Sequence, residues 1–349
     1  YVTHISEKMS QYAEVHRKTA GPGDERPTAL EIIKNEGLEG KMKDKVFLIT
    51  GSSSGIGLET GKAIAKTGAR VFLAVRSLEK GQTACSSFLE PGRVELLLMD
   101  MSSLSSVRNA AASFLEKSPT LNVLICNAGI MLGRKREESV DGFELQLATN
   151  YLGHFLLFEL LKGAMIKAST PDFNSRLINV SSASHHFGEI HLEDFNLRQD
   201  GAYEPNKAYA QSKLALIYMS NFVERHYGPL GLHGLALMPG GVWTNLQQHL
   251  PEAAKESFFS NAFAMNWMKS PEQGAATTVL AAVSREWEGR GGKYLENCAA
   301  ATTEPMIPGV LGVKMSAYDK HLDERLWRLT LETLGLENAP MISQLPFFF

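Results

Sequence analysis

Short, largely apolar runs alternate with longer stretches of helical periodicity along most of this chain. Apolar runs of this length are typical of parallel strands that are covered on both faces. The stretches between them place apolar residues three and four positions apart, as amphipathic helices do. Strands and helices in alternation predict an α/β fold, a doubly wound parallel sheet with helices on both faces. The predicted strands are residues 46–49, 71–75, 94–99, 123–126, 177–180 and 232–237, and the predicted helices include 104–115, 142–161, 208–225 and 272–284.

A single domain explains this pattern, because no linker-like stretch, repeat or low-complexity segment divides it. The domain is predicted to span residues 41–300. Residues 1–40 form an N-terminal extension that packs on it, and Thr28-Ala29-Leu30-Glu31 has the pattern of a capping box that opens a short helix. Residues 301–349 form a C-terminal helical extension in which 314–334 is amphipathic. We expect this extension to cover the substrate pocket.

Composition and charge argue against several classes of protein. The 349 residues are 44% hydrophobic, enough for a large core, and the net charge of −3 with no long basic run argues against a nucleic-acid partner. Three widely spaced cysteines argue against disulfides, so a reducing, cytoplasmic location is expected. No stretch is long and apolar enough to span a bilayer. His185, His186 and His191 lack convincing ligand spacing, so no metal site is expected.

The first predicted strand leads into a glycine-rich turn and a helix. Gly51, Gly55 and Gly57 occupy this turn. Glycine permits unusual backbone angles and close approach of the main chain to a ligand. A helix N-terminus also offers unpaired N–H groups and the positive end of a dipole. The turn is therefore a candidate seat for a pyrophosphate, although an ordinary glycine-rich connection would show the same pattern.

The second predicted strand ends at a residue that bears on cofactor choice. An acidic residue about 20 positions after the glycine turn favours NAD, because it accepts bonds from the ribose hydroxyls. Here Arg76 follows the strand, and a guanidinium can pair with a 2′-phosphate, so NADP(H) is preferred. Glu79 is the rival, but it lies in the expected first turn of the next helix. Asp100, after the third strand, could accept a hydrogen bond from adenine or cap the following helix.

Tyr209 and Lys213 are four residues apart in a predicted helix, so they share one face. A nearby ammonium favours the phenolate, and we expect Lys213 to lower the pKa of Tyr209 toward the range useful for proton transfer. Ser181 and Ser182 follow a strand at the sheet edge where a substrate should bind. Asn150 interrupts an apolar helical pattern, which a helix kink or a satisfied core amide would also explain.

Together these motifs resemble the short-chain dehydrogenase/reductase family. The matching motifs are Thr50-Gly51-Ser52-Ser53-Ser54-Gly55-Ile56-Gly57, Asn127-Ala128-Gly129, Asn150, Ser182, Tyr209 with Lys213, and Pro239-Gly240. Within the family the chain most resembles the branch of retinol dehydrogenases and WW-domain oxidoreductases and its fungal relatives. The features that point there are Ala74-Val75-Arg76 with Glu79-Lys80-Gly81, Asn179-Val180-Ser181-Ser182, and the long segment between Ser182 and Tyr209.

The resemblance implies a single Rossmann domain with a catalytic tetrad of Asn150, Ser182, Tyr209 and Lys213. Tyr209 would exchange a proton with the substrate oxygen, which Ser182 would hold by a hydrogen bond. Lys213 would bind the nicotinamide ribose, and Asn150 would anchor a water in a proton relay. In the turn after Pro239-Gly240, Val242 and Thr244 would hold the nicotinamide amide. The cofactor-binding residues implied are Gly51, Ser53, Ser54, Gly55, Ile56, Gly57, Arg76, Asp100, Met101, Asn127, Ala128, Gly129, Tyr209, Lys213, Pro239, Gly240, Val242 and Thr244.

Three positions depart from the family pattern. Cys126 replaces an asparagine often found before Asn127, and Gly241 adds a second glycine after Gly240. Neither change removes a group that the chemistry needs. Ser54 stands where some NADP enzymes carry a basic residue, so the preference for NADP(H) depends largely on Arg76.

Substrate selection is expected from Met131-Leu132, from the insertion between Ser182 and Tyr209, and from the segment after Thr244. That segment is unusually apolar and could form a lid over an apolar pocket, or simply pack on the core or on a partner subunit. We therefore predict an NADP(H)-dependent carbonyl reductase or alcohol dehydrogenase of secondary metabolism, monomeric or homodimeric, acting on a bulky apolar ketone, aldehyde or secondary alcohol. Non-redox biosynthetic chemistry and a non-catalytic NADP sensor are the alternatives. The apolar residues of the segment are Leu246, Leu250, Phe258, Phe259, Phe263, Met265, Trp267 and Met268.

Overall fold

The computed structural model describes residues 12–131, 135–247, 252–304, 307 and 309–336. Leu132, Leu250 and the apolar tail at 345–349 lie outside the described residues, as does the side chain of Phe263. No helix of the described ranges combines the length and apolar character required to cross a membrane.

A twisted, mainly parallel sheet forms the centre of the domain and contains all six predicted strands. The strands are β1 Val46–Thr50, β2 Arg70–Val75, β3 Val94–Leu98, β4 Val123–Cys126, β5 Ser175–Val180, β6 Leu232–Met238, β7 Gly241–Val242, β8 Met268–Lys269, β9 Lys293–Glu296 and β10 Ala299–Ala300. The predicted strands have the order β3-β2-β1-β4-β5-β6 in space, so the strand order reverses between β1 and β4 as in a doubly wound fold. Two further strands extend the sheet beyond β6, with β9 parallel and β10 antiparallel. The strands β7 and β8 form a separate pair.

Helices cover both faces of this sheet and create two apolar layers. The helices are α1 Ala29–Asn35, α2 Gly55–Lys66, α3 Leu78–Cys85, α4 Leu104–Lys117, α5 Leu145–Leu147, α6 Gly153–Ala168, α7 Pro205–Tyr227, α8 Glu252–Ser260, α9 Ala262–Trp267, α10 Pro271–Gly274, α11 Ala276–Val283 and α12 Lys320–Thr333. One layer joins α4, α6, α7 and α12, and the other joins α1, α2 and α11. The predicted doubly wound α/β fold is therefore confirmed.

The helix predicted for residues 142–161 differs from the one observed. A single turn at Leu145–Leu147 leads into a π-helix at Ala148–Leu152, and α6 follows. Asn150 lies in the middle of the π-helix and is fully buried. The wider turn alters the helical hydrogen-bond pattern locally, and such turns often occur at functional sites.

Both extensions pack on the domain. Thr28 and Glu31 form the predicted capping box, and α1 contacts α2 and α11. In the C-terminal extension α12 packs on α7, where the Trp327 ring stacks on Phe222 with 3.9 Å between centroids. Arg225 pairs with Asp323 across the same contact. The predicted boundaries at 40 and 300 stay predictions.

Candidate active site

The carboxyl ends of β1, β4, β5 and β6 lie side by side in the sheet, and each leads into a predicted motif. Gly51 follows β1, Asn127 follows β4, Ser181 and Ser182 follow β5, and Pro239 follows β6. Parallel strands bring residues that are far apart in sequence to one edge. The structure therefore gathers the predicted motifs into one site.

The glycine turn is built around close backbone contacts. Gly51 has a φ of +70°, and a Cβ there would approach the Ala128 Cα to 2.8 Å. A Cβ on Gly57 would collide with the Gly51 carbonyl and with the Asn127 amide. Ser54 is the N-cap of α2, and its side chain makes no capping bond to the first N–H groups of this helix. Free N–H groups at this helix start suit a phosphate.

Arg76 lies directly after β2 and is exposed to solvent. No other residue of the described ranges is hydrogen-bonded to its guanidinium or ion-paired with it, so the group is available for an anion. Glu79 occupies the first turn of α3, as expected, where a carboxylate complements the helix dipole. Its presence there does not require a role in binding ribose.

Asp100 is already engaged by its own loop. One carboxylate oxygen accepts hydrogen bonds from the Ser102 N–H at 2.9 Å and the Ser102 hydroxyl at 2.7 Å. The cap of α4 is Ser103, not Asp100, so the capping alternative is wrong in detail. Met101 is buried, and its carbonyl faces Gly153 so closely that a Cβ there would collide with it.

Tyr209 and Lys213 lie on one face of α7, as predicted. The Lys213 Nζ is 5.6 Å from the Tyr209 ring centroid and donates a hydrogen bond of 3.0 Å to the Val180 carbonyl. A Cβ on Gly129 would be 3.2 Å from Lys213 Nζ and 3.4 Å from Asn150 Oδ1. The Tyr–Lys pair, Asn150 and the Asn127-Ala128-Gly129 turn are thus brought together.

Burial governs the pKa values of this pair. It raises the pKa of Tyr209 to about 12, while the nearby Ser182 hydroxyl acts in the opposite direction. It lowers the pKa of Lys213 to about 8. A charged form is disfavoured when it loses water, so the phenol stays protonated and the ammonium is weakened. This corrects the expectation that Lys213 lowers the pKa of Tyr209, because desolvation is the larger effect in this structure.

The two serines after β5 have different partners. The Ser181 hydroxyl donates a bond of 2.7 Å to the Lys213 carbonyl and supports α7. The Ser182 hydroxyl contacts Ser184 at 3.2 Å and influences the pKa of Tyr209. The geometry therefore favours Ser182 as the serine beside the phenol.

Asn150 connects three parts of the site. Its side chain accepts from the Ile130 N–H at 2.8 Å and donates to the Ile130 carbonyl at 3.0 Å, which holds the chain after β4. It also donates to the Ser212 hydroxyl at 2.9 Å, on the helix of Tyr209. The Asn150 side chain is therefore a core amide whose donor and acceptor groups both have hydrogen-bond partners, as one of the alternatives predicted. A role in a water relay stays a prediction.

His154 was not predicted as a site residue, yet it joins the cofactor turn to Asn150. Its Nδ1 is 2.9 Å from the Asn150 carbonyl, which can only accept, so Nδ1 carries the proton. Nε2 then accepts from the Thr50 hydroxyl at 2.8 Å, and Thr50 in turn accepts from the Asn127 and Ala128 N–H groups. The available signal was a histidine four residues after Asn150 in an apolar helix.

The segment after β6 faces the glycine turn. Gly240 has a φ of +100°, and Val242 is buried in β7. A Cβ on Gly55 would approach the Thr244 Cγ2 to 3.0 Å, so Thr244 lies beside the start of α2. Of the remaining implied cofactor residues, Ser53 and Pro239 lie in these two loops and Ile56 lies in the first turn of α2. They fit a dinucleotide that runs along the sheet edge.

Aromatic side chains cluster beyond this segment. The Trp243 ring lies 4.4 Å from that of Phe259 and 5.4 Å from that of Phe258. Phe258 and Phe259 belong to the segment after Thr244 that is predicted to select the substrate, and Trp243 directly precedes Thr244. The expectation of a lid stays a prediction.

The histidines after Ser182 make structural contacts. His185 Nδ1 bonds to the Ser182 carbonyl at 2.7 Å, and its Nε2 accepts from the Lys314 N–H at 3.3 Å. His186 bonds to the Gly312 carbonyl at 3.2 Å. The C-terminal extension thus reaches the strand end that carries Ser182. Across the described part of the chain, no cluster of three or more potential metal ligands occurs.

Comparisons with known proteins agree with this geometry. The family model described as short chain dehydrogenase matches residues 45–196. The short-chain dehydrogenase/reductase prx1 of Penicillium roqueforti is 53% identical over 336 residues, which cover 95% of this chain and 97% of that protein. This chain belongs to the short-chain dehydrogenase/reductase family. Oxidoreductase chemistry with a nicotinamide cofactor is the property of this family.

Other relatives indicate the branch of the short-chain dehydrogenase/reductase family. Human polyprenol dehydrogenase is 34% identical, with 84% of this chain and 86% of that protein covered. Human retinol dehydrogenase 11 is also 34% identical, with 85% and 87% covered. The chain is therefore part of the retinol dehydrogenase-like branch. A crystal structure of an uncharacterized protein from Mycobacterium Paratuberculosis has a TM-score of 0.63 and 29% identity, and the match covers 93% of this chain and 99% of that one.

Proposed function

We propose that this protein is an NADP(H)-dependent oxidoreductase that interconverts a bulky apolar ketone or aldehyde and the corresponding alcohol. The observation that carries the proposal is the position of Tyr209, Ser182 and Lys213 at one sheet edge, beside a glycine turn that suits a pyrophosphate. The bound nicotinamide would supply or accept the hydride.

The protein residues would handle the proton and the oxygen. In the reductive direction Tyr209 donates a proton to the carbonyl oxygen as the hydride reaches the carbonyl carbon. Ser182 donates a hydrogen bond to the same oxygen and stabilises the charge that develops on it. The buried ammonium of Lys213 lies close enough to stabilise the phenolate that remains. In oxidation the same proton moves from the alcohol to Tyr209.

Arg76 supports the choice of NADP(H). Its guanidinium is exposed at the end of β2, where the adenosine ribose would lie in a doubly wound fold. A guanidinium can hold a 2′-phosphate by two parallel charge-assisted hydrogen bonds. Such a pair is unavailable to NAD(H).

The apolar substrate class has two supports. The Trp243, Phe258 and Phe259 rings cluster in the segment after β7, where a pocket wall is expected. Two relatives carry the names polyprenol dehydrogenase and retinol dehydrogenase, which describe apolar alcohols. A secondary-metabolic role, a cytoplasmic location and a monomer or homodimer stay predictions.

The test follows NADPH consumption with a panel of apolar and charged ketones and aldehydes, for the wild type and Tyr209→Phe. We expect turnover of apolar substrates, and a loss of about 10²–10⁴-fold in Tyr209→Phe because general acid catalysis is removed. Tyr227→Phe is the matched control, since Tyr227 lies at the far end of α7 and its hydroxyl accepts a hydrogen bond from Lys162. Product without NADPH consumption would indicate non-redox chemistry, and NADPH binding without turnover of any substrate would indicate a sensor.

A further inference from the structure

A buried arginine links the N-terminal extension to the segment beside the cofactor. Arg26 is only 2% exposed. Its Nε donates to the Asp24 carboxylate at 2.8 Å, and its Nη2 donates to the Gly21 carbonyl at 3.1 Å, both within the extension. The same guanidinium donates to the Trp267 carbonyl at 3.1 Å and to the Met268 carbonyl, more than 200 positions further along the chain. Arg26 therefore ties together two distant segments.

The anchored segment is the partner of the strand expected to hold the nicotinamide. Met268 and Lys269 form β8, which pairs with Gly241 and Val242 of β7. In addition, the Lys269 ammonium donates to the Pro239 carbonyl at 3.3 Å. The position of β7, and of the loop that contains Pro239, thus depends on where β8 lies.

A second set of hydrogen bonds fixes the same contact. The Gln273 side chain of α10 accepts from the Gly23 N–H at 3.0 Å and donates to the Asp24 and Arg26 carbonyls, each at 3.0 Å. A Cβ on Gly274 would lie 2.5 Å from the Val242 side chain, so α10 also packs against β7. The extension consequently holds β7 through both β8 and α10.

The choice of arginine has a physical reason. A buried cation is costly unless its donors have partners, and each of the three guanidinium nitrogens of Arg26 donates at least one hydrogen bond, to one carboxylate and three carbonyls in total. The planar fork of a guanidinium reaches several acceptors at once, which a lysine cannot do. Burial raises the pKa of Asp24, but hydrogen bonds from the Arg26 side chain and from the Ala20 and Arg26 N–H groups outweigh it and lower the pKa to about 2, so the ion pair persists at neutral pH.

We propose that Arg26 is a positioning residue for the nicotinamide half of the cofactor, acting through β8 on β7. This proposal rests on the function proposed above. We expect the adenosine half to be unaffected, because no hydrogen bond or ion pair within the described ranges joins this arginine to the glycine turn or to Arg76. The expected signature is a loss of affinity confined to the half of the ligand that contains nicotinamide.

The experiment compares binding of NADPH and of 2′-phospho-ADP-ribose, which lacks nicotinamide, to the full chain. For Arg26→Met we expect the Kd of NADPH to rise about tenfold, as for the loss of one good hydrogen bond, with the Kd of 2′-phospho-ADP-ribose unchanged. Arg26→Lys keeps the charge and should recover part of the affinity. Arg17→Met is the matched control, because Arg17 lies in the same extension but is 62% exposed at its side chain.

Equal losses for both ligands, or no loss for either, would overturn the proposal. If Arg26→Met does not fold, the same comparison for Arg26→Lys decides, since a nicotinamide-selective loss supports the proposal and an unselective one contradicts it. Failure of the proposed function has a different signature. If the wild type binds NADPH but reduces no carbonyl substrate, the proposed function is refuted, while the Kd values of NADPH and 2′-phospho-ADP-ribose still test the role of Arg26. If the wild type binds neither NADPH nor NADH, the proposed function and the role of Arg26 are both refuted.

Discussion

At the scale of single residues, burial raises the pKa of Tyr209 and lowers the pKa of Lys213. Tyr209 is 6% exposed and Lys213 is 4% exposed. Loss of water disfavours the phenolate and disfavours the ammonium, so the pKa of Tyr209 is about 12 and that of Lys213 about 8. The proton that reduction requires is thus retained on Tyr209 over the whole physiological range. The group that changes its charge near neutral pH is Lys213.

This ordering predicts a pH dependence. Reduction needs a protonated phenol and a charged ammonium, so kcat/KM for carbonyl reduction should be constant below pH 8 and fall above it as Lys213 loses its proton. The measurement is a pH profile of kcat/KM for NADPH-dependent reduction. Lys213→Met should lack this break and should be slow at every pH. A wild-type profile that stays flat through and above this pH would contradict the assignment.

Arg76 gives a second prediction at this scale. Arg76→Ala should weaken NADPH binding by about tenfold and should leave NADH binding unchanged. This factor is at the lower end for the loss of a charge-assisted hydrogen bond, because the Arg76 side chain is exposed to solvent. The measurement is the Kd of each cofactor. Lys80→Ala removes a nearby exposed charge on α3 and should leave the ratio of the two Kd values unaltered. If the two substitutions behave alike, Arg76 does not contact the phosphate.

The sequence predicted those residues whose chemistry shows in a short local pattern. Tyr209 and Lys213 are one helical turn apart, and the glycine turn is contiguous. His154 and Arg26 were missed because their partners come from other elements. Thr50 is 104 positions from His154, and Met268 is 242 positions from Arg26. Nothing in the local sequence around either residue identifies these partners.

At the scale of elements, the long strands of the parallel sheet were predictable and the short strands beyond β6 were not. Five of the six predicted strands lie between other strands and are buried on both faces, and β3, at the sheet edge, still has four apolar residues of five. In contrast, β9 has only two apolar residues between Lys293 and Glu296, and its pairing with β6 decides that it is a strand. The π-helix around Asn150 was signalled by a polar residue in an apolar stretch, but that signal fits several helix geometries.

The packing of α12 gives a prediction at this scale. The Trp327 ring stacks on Phe222 at 3.9 Å and contacts Phe155 at 4.5 Å, and it is almost fully buried. Trp327→Ala should lower the free energy of unfolding by about 3–5 kcal/mol, because a large buried ring is replaced by a cavity. Urea unfolding measures this change. Arg328→Ala is the control on the exposed side of the same helix. If Trp327→Ala lowers the free energy of unfolding no more than Arg328→Ala does, the packing of α12 adds little to stability.

At the scale of the whole molecule, three buried histidines with lowered pKa link protonation to folding in three separate regions. His16 lies in the N-terminal extension, His154 in α6, and His185 after Ser182. Burial is the largest cause in each case and lowers the pKa from 6.5 to about 4. Each histidine is therefore neutral in the folded protein over a pH range in which it is protonated once unfolded.

This difference fixes the sign of a stability change with pH. Between pH 6.5 and about 4 the unfolded chain binds more protons at these histidines, so their contribution to stability is present above pH 6.5 and is lost as the pH falls. Buried carboxyls with raised pKa, such as Glu144 and Glu296, act in the opposite sense. The pH dependence of wild-type stability is therefore the difference between the histidine and carboxyl contributions. We therefore expect His154→Phe to take up about one proton fewer on unfolding in this range. Urea unfolding at several pH values measures it, and parallel pH dependences for the two proteins would mean that His154 is protonated in the folded state.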